Sequence, residues 1–258
     1  MIKHRTWPGR SPVEVPQLLR GLIVILALIV LSGVANSTAS AQVIDFDPSG
    51  LAGESSNNPT SLQFGPDGRL YVSQQNGIVY AYTIVRNGPN GDELVETEAI
   101  NLVQQFTPNH NDDGTPVNTK VRQITGIYVT GSNTNPVLYV SSSDNRIGAG
   151  GGGADVNLDT NSGVISRLTC VGGMDNNGNC AGWDKVDLVR GLPRSEENHS
   201  VNGMQMNEQE TILYLAVGGH TNAGSPSNNF TFTTEYALSA AVLEIDLQMI
   251  DNMPINED

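Results

Sequence analysis

A strand, a polar turn and a second strand recur three times in this chain, and no other feature restricts its folding as much. The clearest copy is Pro59-Thr60-Ser61-Leu62-Gln63-Phe64-Gly65-Pro66-Asp67-Gly68-Arg69-Leu70-Tyr71-Val72-Ser73. The second runs Ile124-Thr125-Gly126-Ile127-Tyr128-Val129, then Val137-Leu138-Tyr139-Val140-Ser141. The third runs Val201-Asn202-Gly203-Met204-Gln205-Met206, then Ile212-Leu213-Tyr214-Leu215-Ala216-Val217-Gly218. In the first copy Pro66 presets φ at a turn corner, and glycine supplies the positive φ of a tight reversal. The flanks are rich in β-branched and aromatic residues, which suit a pleated surface. A third strand is expected after each hairpin: Gly77–Tyr82, Gly163–Leu168 and Ala241–Leu247.

Repeated antiparallel units in one order predict an all-β fold, a β-propeller with about three blades present. A generic antiparallel sandwich also shows short strands and frequent turns, and stays as the alternative. Tyr139 lies 68 positions after Tyr71, and Tyr214 lies 75 after Tyr139. Compact blades repeat every ~40–50 residues, so the excess reads as long Gly-, Asn- and Ser-rich loops. Three units do not close a ring of about four to eight blades. The expectation is therefore an incomplete chain: part of a six-bladed ring, with further domains C-terminal to it.

Residues 1–41 read as an export signal. Lys3, Arg5, Arg10 and Arg20 form a basic leader, Gly21–Leu31 is almost wholly apolar, and Ala39-Ser40-Ala41 is a small-residue cleavage site. An uncleaved anchor is the alternative, although the apolar run is short for a span of about 20 residues. The expected location is exported: secreted, periplasmic or cell surface, with no membrane partner after cleavage. Residues 42–258 then form one domain. They keep 9 basic and 26 acidic residues, a net charge of −17. Such a field repels nucleic acid and anionic membranes and keeps an exported chain soluble.

The two cysteines, Cys170 and Cys180, flank a turn-rich segment. In an exported chain they predict a local disulfide that stiffens the loop. Zinc would need further ligands nearby. Asp155, Asn157 and Asp159 alternate with Asn161 ahead of Gly163. Oxygen ligands at every second position can wrap calcium. Thr160 and Ser166 stand where an EF-hand loop carries Gly and Glu, so an irregular calcium loop or a plain turn remains. Gly148–Gly153 lacks the Lys-Ser/Thr ending of a phosphate-binding loop.

Leu192-Pro193-Arg194-Ser195-Glu196-Glu197-Asn198-His199, then Asn202-Gly203-Met204 and Leu213–Gly219, resembles the glucose/sorbosone dehydrogenase family of exported six-bladed propellers. The chain is also similar to large bacterial surface proteins in which such propellers sit beside carbohydrate-binding modules. The resemblance implies a sugar or glycan ligand, with pyrroloquinoline quinone and calcium as cofactors. It places His199 on the general base that takes a proton from a sugar hydroxyl, and Arg122 and Gln123 near the cofactor. A histidine titrating near ambient pH suits that task. The other reading of His199 is a hydrogen-bonded loop histidine. Arg122 can meet an anionic carboxylate through a fork or form a surface ion pair. Arg194, Glu196 and Glu197 read as a solvated loop face, and His220 and His110 as residues of polar loops. Asn198 precedes His199 where active family members carry an acid, and Gly219-His220 stands where Gly-Asp is expected. These departures favour the competing function, a non-catalytic extracellular propeller that binds glycans or proteins.

Overall fold

The Gly65–Arg69 segment closes the first hairpin as its residues dictate. Gly68 takes φ 81°, Gly65 N–H donates to Arg69 O at 2.9 Å, and the Asp67 carboxylate accepts the Arg69 N–H at 3.3 Å. Short reversals of this kind join all the strands of the first sheet, while one longer connection enters each of the other two sheets, 145–162 and 218–240. In a computed structural model of the chain, the described residues are 50–54, 56–88, 91–105, 110–117, 121–146, 159–227, 232 and 234–251. They belong to the unit Ser49–Asp258. The expected export signal, 1–41, lies outside them.

The fold is all-β. Sheet 1 comprises β1 (Pro59–Phe64), β2 (Leu70–Gln74), β3 (Val79–Arg86) and β4 (Asp92–Ile100). Sheet 2 comprises β5 (Arg122–Gly131), β6 (Pro136–Asp144), β7 (Gly163–Met174) and β8 (Cys180–Leu192). Sheet 3 comprises β9 (Val201–Met206), β10 (Ile212–Val217) and β11 (Ala241–Asp246). Every pairing between these strands is antiparallel and joins chain neighbours. Among the described residues, helix is confined to a 3-10 turn at Leu102–Gln104 and α1 (Leu247–Ile250), whose first amides are capped by the Asp246 carboxylate. No helix of the described residues is long and apolar enough to cross a membrane.

The third strands begin and end differently from the sequence reading. Val79–Arg86 and Gly163–Met174 run longer than expected, and Ala241–Asp246 stops at the α1 cap. Two fourth strands, β4 and β8, occupy stretches that read as loop. Part of the long repeat spacing is therefore strand.

Tyr71, Val79 and Ala81 of sheet 1 pack on Ile127, Val129, Leu138 and Val140 of sheet 2. On the other side of sheet 2, Tyr139, Ile165 and Leu188 pack on Val201, Leu213, Leu215 and Val217 of sheet 3. Sheet 2 is thus covered on both faces, and every residue of β6 except Val137 is buried. Such a strand loses the alternation that marks a sheet wetted on one side.

The first strands adjoin in chain order, β1 beside β5 and β5 beside β9. Side chains stand in for a backbone ladder at these joints. Gln63 Nε2 donates to Val129 O at 3.0 Å, and Val129 N–H donates to Gln63 Oε1 at 2.9 Å. Thr125 Oγ1 donates to Val201 O, and Ser141 Oγ to Asn202 O at 2.8 Å. Gly126 permits the second joint, since a Cβ there would lie 2.5 Å from Asn202 O. Replacing Gln63 by Leu leaves both polar groups of buried Val129 unpaired. The expected loss is about 1–3 kcal/mol, read as a lower urea midpoint at unchanged m-value.

Candidate functional site

In each meander the start of the first strand, the end of the second and the start of the third share one end. The registers Pro59↔Gln74, Arg122↔Asp144, Ser142↔Val164 and Val217↔Ala241 fix this. Arg122 and Gln123 open β5, Asp159 precedes β7, His199 precedes β9 and His220 follows β10. The residues singled out from scattered stretches of sequence therefore gather at one end of the three sheets.

His199 closes a tight turn. Ser195 N–H donates to His199 O at 3.0 Å, and His199 N–H to Glu196 O at 3.1 Å. Gly218 lets β10 run against this turn, because a Cβ there would sit 3.0 Å from His199 Cα. The approach brings Gly219 O to 2.8 Å from His199 Nδ1. A carbonyl only accepts, so Nδ1 carries the proton and the lone pair of the neutral ring lies on Nε2. A backbone carbonyl thus orients the imidazole.

The 219–220 peptide is held in turn by Glu235, which accepts His220 N–H at 2.9 Å, Ser239 Oγ–H at 2.5 Å and Thr221 Oγ1–H at 2.5 Å. Desolvation alone would raise this carboxyl. The Ser239, Thr221 and His220 hydrogen bonds outweigh it and hold the pKa at about 2. The folded value lies below the usual 4.5, so its stabilisation is complete above about 4.5 and fades as pH falls toward about 2. Glu235→Gln should flatten that acid limb in thermal melts taken from pH 6 to pH 2.

His220 is fully buried and meets Tyr236 edge to face at 4.7 Å. Burial lowers its pKa; Glu235 pulls it up, while His199 and Arg194 push it down. Arg194 is also fully buried, donating to Arg146 O while its N–H bonds Thr160 O at 2.8 Å. These positions correct the sequence reading: Arg194 is not on a solvated face, and His220 is not in an open polar loop. Among residues 193–200, Glu196 and Glu197 are half-buried.

Arg122 and Gln123 also differ from expectation. Arg122 is 3 % exposed, donating to Ser162 O, to Ser142 O at 3.3 Å and to Ser142 Oγ at 3.3 Å. Burial pushes its pKa down to about 10, against the pull of Asp144, Asp159 and Asp187. Gln123 Nε2 donates to Glu197 O at 2.6 Å, and its Oε1 lies 3.5 Å from Gln75 Nε2. Both side chains are spent on the loops of this end. Gln123 pins the turn that carries His199, and Arg122 pins Ser142 and Ser162.

Asp155 and Asn157 lie outside the described residues. Asp159 is buried, its Oδ2 is 3.9 Å from His110 Nε2, and burial raises its pKa. Among the described residues no three His, Cys, Asp or Glu side chains converge on a metal ion. Beside His110, a cavity of about 550 Å³ is lined by His110, Asp112, Gly114, Thr160 and Asn161. Asp112 closes one wall by accepting Thr160 N–H at 2.7 Å and its hydroxyl at 3.0 Å.

The disulfide Cys170–Cys180 is formed, across the Asp175–Asn179 turn. It sits at the opposite end of sheet 2, near the hairpin tip.

No family model and no curated protein matches this chain. Among solved structures, it is similar to the iodide structure of Trichoderma reesei Carbohydrate-Active Enzymes Family AA12, at 13% identity and a TM-score of 0.43. It is similar to the calcium structure of the same family at 12% identity and a TM-score of 0.41. Each match covers 74% of this chain, and the chain spans 36% of each matched structure. The resemblance to the glucose/sorbosone dehydrogenase family is corrected by these results: no family model matches, and the two solved structures named above are of AA12.

Proposed function

We propose that this chain is an exported β-propeller portion whose loop-rich end acts on sugar hydroxyls, with His199 as general base. The three sheets are read as successive blades, supported by their identical meander order and the adjoining first strands. One observation carries the chemical reading: His199 Nδ1 is anchored on Gly219 O, which puts the basic lone pair on Nε2. Oxidising a carbinol removes an O–H proton and a C–H hydride. His199 serves the first half by taking the proton on Nε2. Neither Arg122 nor Gln123 presents a group to the hydride acceptor, so an oxidant would be held by other residues.

That same engagement of Arg122 and Gln123 favours a second reading, an extracellular propeller that binds glycans without turnover. The two separate in one experiment. The full-length protein is assayed for dye reduction with aldoses, with pyrroloquinoline quinone and calcium supplied. Turnover that disappears in His199→Ala supports oxidation. Turnover equal in the wild type and the variant overturns His199 as base. Glycan binding with no turnover in the wild type supports the second reading.

A further inference from the structure

A smaller recess of about 210 Å³ opens at the same end, between the loops of sheets 1 and 2. Asn57, Asn58, Gln75, Asn76, Val121 and Asn145 line it. Five of the six are primary amides, and none is charged. Each amide offers an acceptor oxygen and two N–H donors. A wall of this kind matches ligands whose groups both donate and accept, and it offers no counter-charge to an ion taken out of water.

The wall is partly fixed and partly unmet. Asn76 Oδ1 accepts Ile78 N–H at 3.2 Å, and Asn76 O accepts Gln104 Nε2–H at 2.6 Å. Gln75 N–H donates to Asn58 O at 3.1 Å. Asn145 Oδ1 is shut off from solvent and has no hydrogen-bond partner. A buried acceptor without a donor costs stability and calls for a reason. Gln75 also lies against Gln123, whose other end holds the Glu197 carbonyl in the His199 turn. The recess and the histidine are thus joined through one side chain.

We infer that this recess is a binding subsite for one ring of a neutral sugar, whose hydroxyls exchange hydrogen bonds with the wall's amide side chains, Gln75 and Asn145 among them, while Val121 meets a C–H face. The inference rests on the reading that this end acts on sugars. The net charge of −17 on residues 42–258 adds a field against uronic acids.

The test is calorimetric titration of the full-length protein with glucose, maltotriose and galacturonate, repeated on Asn145→Ala and Gln75→Ala. Circular dichroism melts confirm that each variant folds. Loss of one good hydrogen bond weakens binding about tenfold. The expected result is binding of a neutral probe, weaker galacturonate, and about a tenfold loss in each folded variant. Wild-type affinity in both variants, tighter galacturonate, or no binding of any probe overturns the inference. Turnover measured alongside separates the two ideas. Binding lost in the variants, with a wild type that oxidises nothing, upholds the recess and overturns only the oxidation reading. Turnover retained with unchanged affinity in both variants overturns the recess alone.

Discussion

His199→Ala is expected to lower kcat by about 10²–10⁴-fold, the usual contribution of a positioned general base. That is a barrier increase of about 3–5 kcal/mol. The loss should fall on kcat more than on KM, because proton abstraction is a transition-state interaction. His199→Gln is the sharper probe. It keeps a donor for Gly219 O yet cannot take a proton, so turnover should fall as far as with alanine while the fold survives. Turnover retained in His199→Gln would assign the proton to another group.

The largest loss of stability is expected at Glu98, far from that end. Its carboxylate accepts Arg69 NH1 at 2.5 Å, Trp183 Nε1–H at 2.6 Å and Cys180 N–H at 3.2 Å. Arg69 is 3 % exposed and also bound to Asp67 at 2.7 Å. Burial alone would lower the Arg69 pKa; Glu98 and Asp67 outweigh it and raise it. Glu98→Ala leaves three donors without their acceptor and a buried guanidinium with one carboxylate fewer. The expected cost is about 3–5 kcal/mol. Urea unfolding checks it, with a thermal midpoint lower by about 2–4 °C per kcal/mol. Glu98→Gln keeps an oxygen for Trp183 and should cost less. Equal losses in the two variants would mean that the charge, absent from both, accounts for the whole effect and the oxygen retained for Trp183 for none of it.

The same residue shows where the sequence stops being legible. The hairpins were readable because Gly65-Pro66-Asp67-Gly68 states its own turn. Strand β4 was not readable. Its inward positions are Leu94, Glu96, Glu98 and Ile100, and two acids on the inner side break the apolar alternation. Glu98 is tolerated only because Arg69 and Trp183, remote in sequence, meet it there. Arg194 and His220 were misread for the same reason: a polar loop looks solvated until distant segments cover it. His199 was singled out from its surrounding motif, whereas the group that orients it is a carbonyl 20 positions on. A carbonyl carries no residue identity, so no pattern of letters marks it. Arg122 and Gln123 grip carbonyls of Ser162, Ser142 and Glu197 together with the Ser142 hydroxyl and the Gln75 amide, partners that no local motif announces.

Sheet 2, greasy on both sides, has a consequence for how the fold comes apart. Peeling away either outer sheet strips one side of β6 while the other stays covered. A half-opened molecule would therefore display a broad sticky plane rather than a wetted one, the kind of surface that seeds clumping. The middle layer is where a single cavity is felt by two neighbours at once, so damage there spreads to the whole assembly instead of staying local.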